Sequence, residues 1–269
     1  MKIGFIGCGN MCESILKGLI NSKQYPPESI YVYNRTPESV ARLYQKYGVH
    51  GGTDGVDVAT KSDIVIIGVK PYAVCQVLES VRDAITADKV VVSVAAAITI
   101  ASMEKALVKP CKIVRVMPNV SVGVGAGITS VTPNASVAPE ETARVLKMFS
   151  TVGKVAEVAE SQIHAVIGVA GSSPAYVFMF MEAMADAAVH GGMPRAQAYE
   201  FAAQAVLGAA KMLQETGASP GQLKDMVCSP SGTTIEAVRS LEKGGLRSAV
   251  IEAMIACMDK SRSLEAKLN

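Results

Sequence analysis

The chain opens on four apolar residues, Ile3-Gly4-Phe5-Ile6, that run directly into Gly7-Cys8-Gly9-Asn10-Met11-Cys12 and a helix-period segment over 11–23. A strand that turns on closely spaced glycines into a helix begins a βαβ unit, and it commits the adjoining chain to a parallel sheet with helical crossovers. The downstream pattern agrees. Residues 30–33, 64–67, 90–94 and 113–116 read as buried strands, with helical spacing over 37–47, 71–85 and 99–107 between them. A weaker strand over 128–132, a helix over 139–149 and a last strand near 155–158 extend the sheet. Residues 1–160 are therefore expected to form a Rossmann-like, doubly wound α/β domain. Beyond 160 the strand signals stop. Ala-, Met- and Leu-rich stretches follow, broken at 191–194, 217–220, 229–232 and 244–245, so 161–269 is expected to be all helical.

Composition narrows the function. Of 269 residues 49% are apolar, yet a membrane span needs roughly 18 or more consecutive apolar residues, and the richest stretch, 174–193, is interrupted by Glu182, Asp186 and His190. It reads as a core or interface helix. The first residues are too short for a signal sequence, and a cytoplasmic protein is expected. The net charge is +2 without a basic run, which leaves nucleic-acid binding unsupported. Six cysteines stand singly at 8, 12, 75, 111, 228 and 257, the pattern of reduced thiols.

In the opening unit Gly7 permits the tight turn, Gly9 lets a pyrophosphate approach the backbone, and the helix start offers free N–H groups to the phosphates. Ile6, Gly7, Gly9, Asn10 and Met11 are the candidate cofactor residues here. Cys12 holds the third place of the glycine pattern and asks for looser or locally adjusted packing of helix on strand. A turn needing no ligand fits as well, with Asn10 capping the helix and Glu13 three residues on. The strand over 30–33 ends in Asn34-Arg35-Thr36-Pro37, where NAD-specific domains place an acid for the ribose hydroxyl. Arg35 can pair with a 2′-phosphate or stack on adenine, and Asn34 and Thr36 can donate to that phosphate. NADPH is expected over NADH, NADH being the alternative cofactor. The bland alternative is a solvated arginine in a loop.

Val69-Lys70-Pro71, Ala95-Ala96-Ala97 and Met117-Pro118-Asn119 follow three further strands at the carboxyl edge, where ligands sit in open α/β sheets. Lys70 is expected to face the cofactor, although a strand-end lysine also serves as a solvated loop residue. Asn119 is expected to bond a nicotinamide carboxamide or to line the substrate cleft. In the helical half, Gly171-Ser172-Ser173-Pro174-Ala175-Tyr176 reads as a helix start with Ser173 as cap and Pro174 first. Ser229-Pro230-Ser231-Gly232-Thr233-Thr234-Ile235-Glu236 reads as a second start that offers hydroxyls and N–H groups to a carboxylate. Thr233 and Glu236 equally fit a capping box. No G-x-S-x-G, H-E-x-x-H or P-loop is present, and His50, His164 and His190 lack ligand spacing and read as structural. A hydroxy-acid dehydrogenase would need a strong base, for which the second half offers chiefly Lys211 and Lys224. A substrate that is already a protonated imine needs a hydride, a carboxylate anchor and a weak proton relay.

Together Gly7-Cys8-Gly9-Asn10-Met11, Val69-Lys70-Pro71, Met117-Pro118-Asn119, the segment 171–176 and above all Asp225-Met226-Val227-Cys228-Ser229-Pro230-Ser231-Gly232-Thr233-Thr234-Ile235-Glu236-Ala237-Val238 resemble the pyrroline-5-carboxylate reductases over essentially the whole chain. The resemblance implies reduction of 1-pyrroline-5-carboxylate to L-proline with NAD(P)H, the last step of proline biosynthesis, without a metal. It implies a C-terminal dimerisation domain whose interleaved helices make homodimers, sometimes larger rings such as decamers. It places the substrate carboxylate on Ser229, Gly232, Thr233 and Thr234, with the Thr234 hydroxyl on the ring nitrogen as the catalytic group, and sets Glu160 and Met226 in the substrate cleft. The cofactor set it implies includes Asn34, Arg35, Thr36, Val69, Lys70, Pro71, Ala95, Ala96 and Asn119. Cys12, Ala97, Val120-Ser121 and Ser231 depart from the family pattern, Cys12, Ala97 and Ser231 standing where glycine or another small residue is usual. Another NADPH enzyme of this architecture, acting on hydroxy acids or other imines, or a non-catalytic NADP sensor, are the rival readings.

Overall fold

Alternate residues of Ile3–Ile6 (β1) point to opposite faces, and both faces are buried. The same holds for Ile64–Ile67 (β4) and Val90–Ser93 (β5). Strands this apolar must be covered on both sides, and the computed structural model, which describes residues 1–269, supplies the cover. Helices Asn10–Asn21 (α1), Pro37–Tyr47 (α2) and Pro139–Ser150 (α6) lie against one face, with Ile15, Leu16, Leu43, Val145 and Phe149 packed on Ile3, Phe5, Ile66 and Val92. On the other face Gly55–Lys61 (α3), Val74–Val81 (α4) and Ile100–Leu107 (α5) pack Val58, Leu78 and Met103 on Ile6, Val65, Ile67 and Val91. Each such side chain, wholly withdrawn from water, contributes about 1.5–3 kcal/mol.

With Ile30–Tyr33 (β2), His50–Gly51 (β3), Lys112–Met117 (β6), Gly127–Pro133 (β7) and Gly153–Glu157 (β8), the sheet has the order β3-β2-β1-β4-β5-β6-β7-β8. All neighbours are parallel except β6 and β7, which pair antiparallel. This is the expected doubly wound fold, with an antiparallel step near its far edge. β3 and α3 add to the elements expected from sequence. β3 is two residues long, held by a stack of His50 on Tyr31 with ring centroids 5.2 Å apart. α3 is capped by Asp54, which accepts from the Asp57 N–H at 2.7 Å. The helix expected over 71–85 is shorter, a 3₁₀ turn over Pro71–Ala73 followed by α4.

Past the sheet come Ile163–Val166 (α7), a π-helical turn over Ile167–Gly171, and then Ser173–His190 (α8), Arg195–Thr216 (α9), Pro220–Val227 (α10), Thr233–Lys243 (α11) and Leu246–Leu268 (α12). The compact sheet unit comprises Met1–Ser172 and Cys257–Asn269, and Ser173–Ala256 forms a second, all-helical unit. The first unit thus runs past 160, the boundary expected from sequence, and regains the last turns of α12. Three contacts tie those turns to the sheet unit: Arg115 in the middle of β6, fully buried, bonds Glu265 at 2.9 Å, Asn269 bonds Thr99 and Ala97, and Leu268 packs against the apolar core.

Candidate active site

Ile6 is in register with Tyr33 on one side and Ile67 on the other, and Ile67 with Ser93, so the loops after β1, β2, β4 and β5 leave the sheet at one level. The strand order reverses between β1 and β4, which opens a crevice at this edge. Gly7 sits there at φ +83°, and a Cβ on it would lie 2.5 Å from Val69 Cγ1. Only glycine fits. A Cβ on Gly9 would meet nothing within 4 Å, so the space above it is open to a ligand.

Gly9, and not Asn10, is the N-cap of α1, and no side chain closes the helix start. Glu13, offered from sequence as a capping partner, turns away to α2. There it accepts two bonds from Arg42, at 2.9 and 2.6 Å, one from Lys46 at 2.9 Å and one from Tyr47 at 3.0 Å. The Arg42 bonds foremost hold its carboxyl at a pKa of about 2. The first-turn N–H groups therefore face the crevice without an internal anion, the arrangement that receives a phosphate. Cys12 is accommodated by a complementary gap: a Cβ on Gly68 would stand 2.0 Å from its sulfur. Burial pushes the Cys12 thiol well up and, with Glu13 adding, the Cys8 thiol to about 12, so both stay neutral.

Around this centre the structure distributes the expected residues unevenly. Arg35 and Lys70 are exposed at the ends of β2 and β4 with no carboxylate partner. Thr36 caps α2 with its backbone only. Ala95 is buried and Ala96 exposed in the turn after β5, and Ile6 is buried, so its main chain is what it presents to the crevice edge. Asn34 bonds the Cys8 peptide, a contact its sequence position does not suggest. Asn119 is buried; its Nδ2 donates to the Ala170 carbonyl at 3.2 Å and its Oδ1 accepts from the Ile128 N–H at 3.4 Å. Pro174 has no N–H for that carbonyl four residues back, so Asn119 satisfies an acceptor the proline leaves open.

In the helical unit the turn Ser229-Pro230-Ser231-Gly232 leads into α11. Gly232 is the N-cap, and a Cβ on it would lie 2.3 Å from Ser229 Oγ. The capping box is not formed: Thr233 is already helical, and Glu236 accepts from Arg239 at 3.0 Å. The first N–H groups of α11 and the Thr233 and Thr234 hydroxyls remain for an anion. Met226 on α10 is exposed.

The comparisons with known proteins act on this geometry. The family model for pyrroline-5-carboxylate reductase dimerisation matches residues 160–264, and that for coenzyme F420-dependent NADP oxidoreductases matches 2–97. The pyrroline-5-carboxylate reductase of Escherichia coli is 57% identical over 98% of both chains. This chain belongs to the pyrroline-5-carboxylate reductase family. Among solved structures, the pyrroline-5-carboxylate reductase of Coxiella burnetii superposes with a TM-score of 0.90 at 38% identity, covering 98% of each chain. The Plasmodium falciparum pyrroline carboxylate reductase with NADP bound gives 0.90 at 27% identity, again covering 98% of each.

Set in the reductase family, the departures and surprises acquire reasons. Ala97 and Ser231 both lie in the left-handed region, at φ +66° and +58°, where a side chain costs about 1–2 kcal/mol against glycine. Glu160, expected in the substrate cleft, accepts from Arg115 and from the Ile100 N–H at the start of α5, both at 2.8 Å, and lines a cavity with Ile100, Thr132 and Asn134. Its carboxylate joins β6 to α5. His164 completes this cluster from α7, with Nε2 3.4 Å from Glu265 and Nδ1 2.9 Å from Ser261 Oγ. Arg115 is missing from the sequence-derived candidates, although a lone charge inside an apolar strand signals a buried partner. The segment 171–176 does begin a helix, but Ser173, expected as its cap, is already the first helical residue, and the helix follows a π turn closed by the Ser172 N–H on the Ile167 carbonyl at 2.9 Å.

Proposed function

We infer that this chain reduces 1-pyrroline-5-carboxylate to L-proline with NAD(P)H. The observation that carries this reading is the open, uncapped glycine turn at the switch point of a reductase-family sheet. The residues fit a dinucleotide: the first turn of α1 would hold the pyrophosphate and Gly7 and Gly9 its approach. Arg35 would take the 2′-phosphate, since Glu13 already neutralises Arg42 and Lys46 and leaves Arg35 the free cation after β2. NADPH is accordingly the preferred form. When bound, the reduced nicotinamide supplies the hydride to the C=N carbon.

The chain's own contribution is positioning. Ser229, Gly232 and Thr233 would bind the substrate carboxylate at the start of α11, where the helix dipole adds to the N–H bonds. The Thr234 hydroxyl would orient the ring nitrogen and relay its proton, and Met226 would cover the ring. Val69, Lys70, Pro71, Ala95, Ala96 and Asn119 would line the cofactor side, Asn119 through the segment it braces.

The matched dimerisation family supports a homodimer built by the helical unit, and rings up to a decamer belong to the same reading. The helical run Glu160–His190 is long and apolar enough to cross a membrane by composition. Its place inside the dimerisation match favours a protein interface instead. We place the enzyme in the cytoplasm, with neither membrane nor nucleic acid as partner.

The test is NADPH oxidation followed at 340 nm with pyrroline-5-carboxylate and proline identified as product. Thr234→Ala should lower kcat/KM at least about tenfold, worth ~1.4 kcal/mol of transition-state stabilisation. A loss below about twofold would remove Thr234 from the mechanism.

A further inference from the structure

Asn34 stands at the carboxyl end of β2, where a carboxylate would favour NAD, yet its side chain is spent on the neighbouring glycine turn. Its Oδ1 accepts from the Cys8 N–H at 2.6 Å, and its Nδ2 donates to the Cys8 carbonyl at 3.3 Å. Both polar groups of Cys8 are thus engaged by a single amide, as a neighbouring strand would engage them. One residue earlier the Gly7 N–H donates to the Tyr33 carbonyl at 2.8 Å, so the ladder between β1 and β2 continues past Ile6, first through backbone and then through the Asn34 side chain. Cys8 precedes Gly9, the N-cap of α1, and its orientation sets the amides that border the open space. Arg35, the next residue, is exposed and unpaired.

We propose that Asn34 is a positioning residue that clamps the Cys8 backbone and thereby presets the glycine turn for the pyrophosphate common to both dinucleotides. Discrimination of the 2′-phosphate belongs to Arg35. This rests on the NAD(P)H reading given above. The two residues must then separate in their effects. Removing the clamp weakens NADPH and NADH alike, and removing Arg35 changes their ratio.

The experiment titrates the full chain with NADPH and with NADH by nicotinamide fluorescence, measures KM and kcat for both, and follows hydrogen exchange of residues 7–10 without ligand. Asn34→Ala should raise Kd and KM for both dinucleotides by the same factor of about ten, the scale of one or two lost hydrogen bonds. It should leave kcat at saturation within about twofold and speed exchange at the Cys8 amide. Asn34→Ser, which keeps an acceptor for the Cys8 N–H, should fall between, and it carries the test if the alanine variant does not fold. Arg35→Ala should weaken NADPH alone. A loss confined to NADPH in the Asn34 variants, or unchanged exchange at Cys8, overturns the proposal. If the unsubstituted protein binds neither dinucleotide, the cofactor reading fails and the clamp's purpose with it. The ligand-free exchange measurement would tell that failure from the absence of a clamp.

Discussion

The sheet unit closes its apolar surface on itself, whereas the helical unit leaves its apolar surface open. In the first, Ile3, Phe5, Leu16, Ile66 and Phe149 are completely buried. In the second, the buried apolar side chains within α8 and α9 are alanines, Ala185, Ala198 and Ala202, while Phe178, Met179 and Phe201 are 62%, 70% and 61% exposed. A helix apolar on all sides is stable only when surrounded, so the difference separates a fold that one chain specifies from one that needs a second copy. The most damaging way to break the comparison is a charge in the open face. Phe178→Asp should convert the dimer to monomer by light scattering, raising its dissociation constant by about 10³-fold or more because a two-fold interface counts the change twice. Dinucleotide binding by the sheet unit should survive. Phe149→Ala should cost about 3–5 kcal/mol in urea without affecting assembly. A Phe178→Asp variant that remains dimeric at the same concentration would refute the open-face reading.

Next in size is the junction where the end of α12 joins the sheet unit. Arg115 is fully buried and bonds Glu160 and Glu265, and Asn269 adds bonds to the Thr99 N–H at 2.9 Å and the Ala97 carbonyl at 2.8 Å. Removing the cation leaves two partly covered carboxylates facing each other, so Arg115→Met should destabilise by about 3 kcal/mol. Hydrogen exchange should show protection lost over 257–269. Arg115→Lys should not restore it, because one ammonium cannot reproduce the fork that reaches both acids. Full protection of that segment in either variant would mean that apolar packing, not Arg115, fixes the tail.

These two regions also differ in how far the sequence discloses them. Strands β1, β2 and β4 are legible to the residue because unbroken apolar runs between glycines, prolines and polar residues admit few other conformations. The glycine turn is legible for the same local reason. The hidden features depend on distant partners. Glu160, Arg115 and Glu265 meet across 150 positions of sequence, β3 is too short to show a period, and the antiparallel entry of β7 is set by a turn and not by its own residues. Asn34 is recognisable as a hydrogen-bonding residue at the end of β2, but its bonds to Cys8 are not, because its type advertises hydrogen bonding and says nothing of direction. The reach of α12 back to β6 cannot be seen in a helix whose charges, taken alone, look solvated.

The smallest effect concerns pH and sharpens the same contrast. The carboxylates held below their ordinary range, Glu13, Asp57, Asp88 and Glu141, all lie in the sheet unit. Within the helical unit, pairs such as Lys211 with Glu215 and Arg239 with Glu236 are exposed neighbours on one helix, which contribute little. Glu13 joins two helices, and its pKa of about 2 in the folded chain lies below the ordinary 4.5. The stabilisation it provides is present in full above the ordinary value and is lost as pH falls toward 2. Glu13→Gln should therefore lower the urea midpoint most at pH 7, less at pH 3, and hardly at all at pH 2. Glu236→Gln should shift it negligibly at each pH. A gap for Glu13→Gln that stays constant from pH 7 to pH 2 would show that its hydrogen bonds, not its charge, tie α1 to α2. The acid sensitivity of the sheet unit would then rest on Asp57, Asp88 and Glu141.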